Sequence, residues 1–163
     1  MAPAGAPSQG GHRCAARRGA AARAVIAYLD SSILLRKVLR QPGSLREWTA
    51  VRTGVASALA ETECLRTLDR LRLRAGLSDR EVARRRQTVF RLLESLEVVE
   101  VTAPVLARAA QPLPTELGTL DAIHLATALL WREHSGSDIV MATHDVALAT
   151  AARACGLTVV GGS

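Results

Sequence analysis

Three aspartates lie where the chain passes from one predicted element to the next. Asp30 and Asp145 each follow a short apolar run that is typical of a buried strand, and Asp121 lies in the first turn of a predicted helix. In an open parallel sheet, sites form beyond the carboxyl ends of the strands, so we expect Asp30 and Asp145 at one edge. With one glutamate from the helix that follows Ser57, up to four carboxylates converge in this prediction.

Such a cluster of acids indicates a divalent cation. Carboxylates packed together without a counter-ion repel one another and raise each other's pKa, and a bound cation removes that repulsion. A donor set of carboxylate oxygens favours Mg²⁺ or Mn²⁺ over zinc. Such an ion activates water and stabilises the attacking and leaving oxygens of a phosphodiester, so no nucleophilic side chain is needed. The sequence contains no glycine-rich phosphate loop, no GxSxG and no HExxH motif.

A helix-capping role is the competing interpretation for each aspartate taken alone. Aspartate is a preferred N-cap residue, and an acid in the first turn of a helix complements the helix dipole. The shared placement of three acids at element junctions favours the metal site.

The glutamate of the cluster is either Glu61 or Glu63. The two are two positions apart, so on one helix they point about 200° from each other and only one can face the pocket. Glu61 falls on a stripe with Leu65 and Leu68 that is expected to face the core. Glu63 shares its face with two arginines and is the residue that we expect in a charged cleft. The competing interpretation for Glu63 is an ion pair with one of those arginines.

Two histidines lie near the acids along the chain. His124 comes three residues after Asp121, and His144 directly precedes Asp145. His124 is within reach of the pocket as a proton shuttle, but we favour a packing role or a bond to the backbone. His144 alternates with Asp145 and is expected to point elsewhere.

The pattern of apolar residues predicts strands alternating with helices. Strands are expected at 25–29, 51–56, 96–101, 139–142 and 157–160, and helices at 33–39, 57–73, 78–93, 104–110, 119–134 and 146–154. This alternation predicts an α/β fold with a mainly parallel sheet flanked by helices. We expect a single domain over residues 25–163. Residues 1–24 are rich in alanine, glycine and arginine and are predicted to be a disordered basic tail.

The net charge of +6 is unevenly distributed, since residues 1–24 hold four arginines and no acid. Residues 66–91 hold nine arginines and three acids, a density that suits a polyanion, although a solvated helical surface is the favoured interpretation when this segment is taken alone. Aromatic residues are too few for a platform on which bases stack, so any RNA is expected to be bound through its phosphates.

Cysteine usage and hydropathy indicate a cytoplasmic protein. The three cysteines, Cys14, Cys64 and Cys155, have no metal-site spacing and cannot all pair, which fits a reducing compartment. We find no apolar segment typical of a signal peptide, and none that approaches the roughly 20 residues of a membrane span.

Four segments resemble the motifs of PIN-domain ribonucleases. In chain order they are residues 28–32 (YLDSS), 62–66 (TECLR, with Ser57 six residues ahead of its glutamate), 119–126 (TLDAIHLA) and 142–145 (ATHD). The resemblance spans residues 25–161 and is strongest to the VapC toxins of toxin–antitoxin systems.

The resemblance implies a PIN-like three-layer fold and an endoribonuclease that uses Mg²⁺ or Mn²⁺. The four acids of the family pocket match Asp30, Glu63, Asp121 and Asp145, and the supporting hydroxyls match Ser31 and Thr143. It also implies a homodimer that acts on RNA and is silenced by a cognate antitoxin.

Two other functions remain open on the sequence. The first is another metal-dependent phosphoesterase on a similar sheet; a phosphatase would carry a nucleophilic aspartate in a DxD arrangement after the first strand, and the sequence Asp30-Ser31-Ser32 argues against it. A PIN-like binding module without catalysis would lack one or more of the acids, and none is missing here.

Overall fold

The computed structural model describes residues 25–42 and 46–161. The predicted tail at 1–24 lies outside the described residues. The strands are β1 (Val25–Leu29), β2 (Val51–Ser57), β3 (Glu97–Val99), β4 (Val140–Ala142) and β5 (Thr158–Val160). The helices are α1 (Ser31–Leu39), α2 (Leu59–Ala75), α3 (Asp79–Glu94), α4 (Ala103–Ala109), α5 (Thr119–Ser135) and α6 (Val146–Ala154), and a short 3-10 helix (Arg46–Ala50) precedes β2.

The five strands form one sheet in the order β3-β2-β1-β4-β5, and each neighbouring pair is parallel. The predicted α/β fold with a mainly parallel sheet is therefore confirmed. The chain runs outward from β1 to β2 and β3, and then returns to place β4 on the other side of β1. Ligands bind at such a switch point, beyond the carboxyl ends of the two strands between which the order reverses.

Helices cover both faces of the sheet, which gives the three layers that the sequence predicted. Because successive side chains of a strand point to opposite faces, β1 contributes to both cores. Leu29 packs with Ile33 of α1 and Leu68 of α2, whereas Tyr28 packs with Leu125 of α5 on the opposite face. Tyr28 thus carries its hydroxyl into the layer that contains α5.

Two of the helices that follow a strand begin with an aspartate cap. Asp30 is the N-cap of α1, and Asp145 is the N-cap of α6 and accepts a hydrogen bond from the amide of Leu148 at 2.8 Å. Helix α5 begins differently, because its N-cap is Gly118 and no side chain caps it. The carboxylate of Asp121, in its first turn, is therefore not used as an N-cap.

Among the described residues, no helix combines the length and the apolar character that crossing a membrane requires.

Candidate metal centre

The carboxylate of Asp30 lies at the carboxyl end of β1, the central strand, and is 4% exposed. Its Oδ2 accepts hydrogen bonds from the Ser32 hydroxyl at 2.6 Å and from the Thr143 hydroxyl at 2.9 Å. A buried carboxylate is costly unless it is hydrogen-bonded, and these two hydroxyls supply that compensation. The Ser31 hydroxyl lies 3.4 Å from the other oxygen, Oδ1, and is a weaker partner.

Ser32 and Thr143 also join the ends of β1 and β4. Ser32 Oγ accepts the backbone N–H of His144 at 3.0 Å, and Thr143 Oγ1 accepts that of Asp145 at 3.0 Å. Each hydroxyl donates to Asp30 and accepts from the segment after β4, so the two strand ends are held in one arrangement. Ser32 is not among the residues that the sequence predicts for the site, although its position two residues after a capping aspartate was the available signal.

Glu63 enters the site from α2. Its Oε2 lies 2.7 Å from Nε2 of His124, and its side chain is 19% exposed. The expectation that Glu61 lies on the core-facing stripe is wrong, because Glu61 is exposed and the buried stripe consists of Ala60, Cys64 and Leu68. Leu68 belongs to both stripes, and the centre of the buried stripe lies roughly 65° around the helix from that of the predicted one.

His124 lies on α5 and is fully buried. Its Nδ1 is hydrogen-bonded to the Tyr28 hydroxyl at 2.7 Å, and its Nε2 lies 3.6 Å from Asp30 Oδ1. The expectation that His124 only packs or bonds to the backbone is therefore wrong. Burial by itself lowers the pKa of this imidazole, but the hydrogen bond to Glu63 and the negative charge of Asp30 outweigh it and raise the pKa above its ordinary value.

Asp121 is half-buried one turn before His124. Burial raises the pKa of its carboxyl, and the negative charges of Asp145 and Asp30 raise it further, while His124 partly offsets them. The charges of the three aspartates therefore act on one another across the strand ends. His144 directs its Nδ1 to the carbonyl oxygen of Gly161 at 2.6 Å, as expected of a side chain that points elsewhere.

The described part of the chain contains one close group of possible metal ligands. Oxygen atoms of Asp30 and Glu63 and a nitrogen of His124 lie within 4.8 Å of one another. Asp121 and Asp145 are outside this group but lie close enough for the pKa of Asp121 to respond to both neighbouring aspartates. The structure thus brings two of the predicted acids, Asp30 and Glu63, into the close group, whereas Asp121 and Asp145 lie nearby but outside it.

The arginine-rich segment forms exposed surface on α2 and α3. Each of its three acids is paired with a nearby arginine: Asp69 with Arg66, Asp79 with Arg72, and Glu81 with both Arg84 and Arg85. Exposed pairs of this kind contribute little to stability. Because the arginines outnumber the acids three to one, the surface keeps a positive charge.

The chain is similar to known proteins in both sequence and structure. The family model for the PIN domain matches residues 27–154. Ribonuclease VapC46 of Mycobacterium tuberculosis is 39% identical over 137 residues, which cover 82% of this chain and 95% of that protein. The crystal structure of FitAcB from Neisseria gonorrhoeae has a TM-score of 0.58 at 20% identity, covering 83% of this chain and 96% of that one. The structure of VapBC2 from Rickettsia felis, bound to a DNA fragment from their promoter, has a TM-score of 0.58 at 14% identity, covering 83% and 97%.

Proposed function

Since the chain belongs to the PIN-domain family, we propose that it is a metal-dependent endoribonuclease of the VapC type and the toxin component of a toxin–antitoxin pair. One observation above all supports the catalytic part of this proposal. Carboxylates that follow β1 and β4 lie near those of α2 and α5 at one edge of the sheet, where burial raises the pKa of Asp121 and the negative charges of Asp145 and Asp30 raise it further. Surplus negative charge of this kind, concentrated where parallel strands end, suits a divalent cation.

We assign the cation to Asp30, Glu63, Asp121 and Asp145, with Ser31 and Thr143 as supporting hydroxyls. The donor chemistry fits Mg²⁺ or Mn²⁺, because the four side chains offer carboxylate oxygens and the hydroxyls can bond to the acids or to water. When bound, the cation lowers the pKa of a water molecule and stabilises charge on the phosphate oxygens.

The protein's own residues prepare the site for that chemistry. Ser32 and Thr143 hold Oδ2 of Asp30, which leaves Oδ1 directed toward the cluster. Asp145 is oriented by its bond to the Leu148 amide, and only one of its two oxygens is used in that bond. Preorganised ligands of this kind do not have to be ordered when the substrate arrives.

RNA is the substrate and a cognate antitoxin is the partner in this proposal. The surplus arginines of α2 and α3 attract the phosphates of RNA without reading its sequence. An acidic pocket also suits inhibition by a basic residue, since an arginine of the antitoxin would pair with the carboxylates in place of the cation. We further propose that the protein is a cytoplasmic homodimer, as the family resemblance implies.

The test is cleavage of RNA by the purified protein. We expect cleavage with Mg²⁺ or Mn²⁺ and none in excess chelator, and we expect Asp121→Asn to abolish it because asparagine keeps the shape and removes the charge. Asp69→Asn is the matched control, since Asp69 pairs with Arg66 on exposed α2 surface and should retain activity. Undiminished cleavage in chelator, or by Asp121→Asn, would overturn the proposal.

A further inference from the structure

A line of three hydrogen-bonded side chains connects the core of the protein to the acidic cluster. The Tyr28 hydroxyl lies 2.7 Å from Nδ1 of His124, and Nε2 of His124 lies 2.7 Å from Oε2 of Glu63. The three residues come from β1, α5 and α2, so tertiary packing alone brings them together. Tyr28 and His124 are fully buried, whereas the side chain of Glu63 is partly exposed.

The direction of these bonds limits what His124 can do. An ionised carboxylate only accepts hydrogen bonds, so the 2.7 Å contact with Glu63 requires a hydrogen on Nε2. While it carries that hydrogen, Nε2 has no lone pair to offer a metal, so a cation would bind there only by displacing both the hydrogen and the bond to Glu63. The other ring nitrogen is occupied by the Tyr28 hydroxyl, so both nitrogens are engaged within the protein.

We propose that His124 is a positioning residue for Glu63 and is not itself a metal ligand, an inference that rests on the proposed function. Tyr28 fixes the imidazole, and the imidazole in turn holds Oε2 of Glu63 by its Nε2–H. The second oxygen of Glu63, Oε1, is left for the cation. Hydrogen-bond partners that orient ligating side chains are a general feature of metal sites.

The same atoms also permit the opposite arrangement. Asp30, Glu63 and His124 offer ligand atoms within 4.8 Å of one another, which is the spacing of a three-ligand site that includes a nitrogen. The two arrangements differ in one observable property, namely whether Nε2 carries a hydrogen or binds the metal.

The first measurement is made on metal-free protein. Nitrogen-15 NMR of the histidine rings distinguishes a protonated ring nitrogen from an unprotonated one, and His124→Gln assigns the signal. We expect a protonated Nε2 in the wild type. An unprotonated Nε2 in the metal-free protein would overturn the inference, and it would do so without any bearing on whether the protein is a nuclease.

The second measurement uses Mn²⁺ as the probe. Pulsed electron paramagnetic resonance detects a nitrogen bound directly to Mn²⁺, and we expect no such signal from the wild type. A direct nitrogen coupling that disappears in His124→Ala would make His124 a ligand and overturn the inference. A wild type that binds no Mn²⁺ at all would overturn the proposed function, and this inference with it.

Affinity for Mn²⁺ then tests the positioning role. Loss of a residue that orients a ligand weakens metal binding by roughly 10–100-fold, which we expect for His124→Ala, with a loss of about tenfold for Tyr28→Phe. His124→Gln should recover part of the loss, because its amide can donate to Glu63. The matched control is His134→Gln. His134 is an exposed histidine on the same helix, and among the described residues its side chain is bonded only to the Leu130 carbonyl. Unchanged Mn²⁺ affinity in both Tyr28→Phe and His124→Ala would overturn the inference.

Discussion

Two adjacent serines after Asp30 provide a matched test of how the site is held together. The Ser32 hydroxyl donates to Asp30 Oδ2 at 2.6 Å and accepts the His144 amide at 3.0 Å, whereas the Ser31 hydroxyl lies 3.4 Å from Asp30 Oδ1. Replacing each with alanine removes one hydroxyl from the first turn of α1. Because both serines lie in the same turn, the change in helix propensity is similar in the two variants and largely cancels in the comparison.

The expected loss of stability follows from the bonds removed. A hydrogen bond to a charged group contributes about 1.5–3 kcal/mol and one between neutral groups about 0.5–1.5 kcal/mol. Ser32 is only partly buried, so water replaces part of the hydrogen bonding that the variant loses. We therefore expect Ser32→Ala to lower the free energy of unfolding by about 2 kcal/mol. For Ser31→Ala, whose bond is long, we expect a loss below about 0.5 kcal/mol.

Urea unfolding in the presence of chelator measures the difference without a contribution from metal. With a slope of about 2 kcal/mol per molar urea, Ser32→Ala should shift the midpoint downward by about 1 M. Activity gives a separate readout, because a loss of cleavage in Ser31→Ala without a loss of stability would support its proposed role at the metal. If Ser31→Ala proved as destabilising as Ser32→Ala, the reasoning about these hydroxyls would be refuted.

The remaining predictions concern the charges of the site and of the surface. In chelator, Asp121→Asn should be more stable than the wild type at neutral pH. The raised pKa means that Asp121 binds a proton more readily in the folded wild type than in the unfolded chain. The wild type should therefore gain stability relative to the variant as the pH falls toward that pKa, and the advantage of the variant should shrink. Urea titrations from pH 8 to 4 in which the two stabilities do not converge would contradict this prediction. Glu63→Gln should abolish cleavage while Glu61→Gln, at an exposed position, should retain it, and the reverse result would refute the assignment. Neutralising the three arginines at 84–86 should weaken RNA binding and flatten its dependence on salt, and an unchanged slope would mean that they form only a solvated surface. Co-expression of the cognate antitoxin should suppress toxicity. A peptide of the antitoxin's basic C-terminal segment should inhibit cleavage, and replacing its arginine with alanine should remove that inhibition. Inhibition that survives the replacement would exclude pairing of an antitoxin arginine with the carboxylates as the mechanism.

Local sequence patterns were sufficient to predict the sheet and the edge at which the acids lie. Short apolar runs such as Val25–Leu29 predicted the strands, and the aspartates that follow two of them predicted the edge, because the end of a parallel strand fixes where the next residue lies. The boundaries were less well determined. The strand expected over 96–101 is only Glu97–Val99 in the structure, since pairing with β2 ends there.

The connections within the site depended on packing that no local pattern encodes. Tyr28 and His124 are 96 positions apart, and Glu63 and His124 are 61 apart, yet each pair is in hydrogen-bond contact. Helical spacing related His124 only to Asp121 on its own helix, and it could not indicate that β1 and α2 place partners on both ring nitrogens. The role of Ser32 also depends on packing. Its hydroxyl accepts a hydrogen bond from the backbone N–H of His144, which lies beside it only when β4 pairs with β1. The sequence by itself thus determined which elements form and where the acids lie along them, whereas the packing of α2 and α5 against the sheet decided which side chains hold those acids in place.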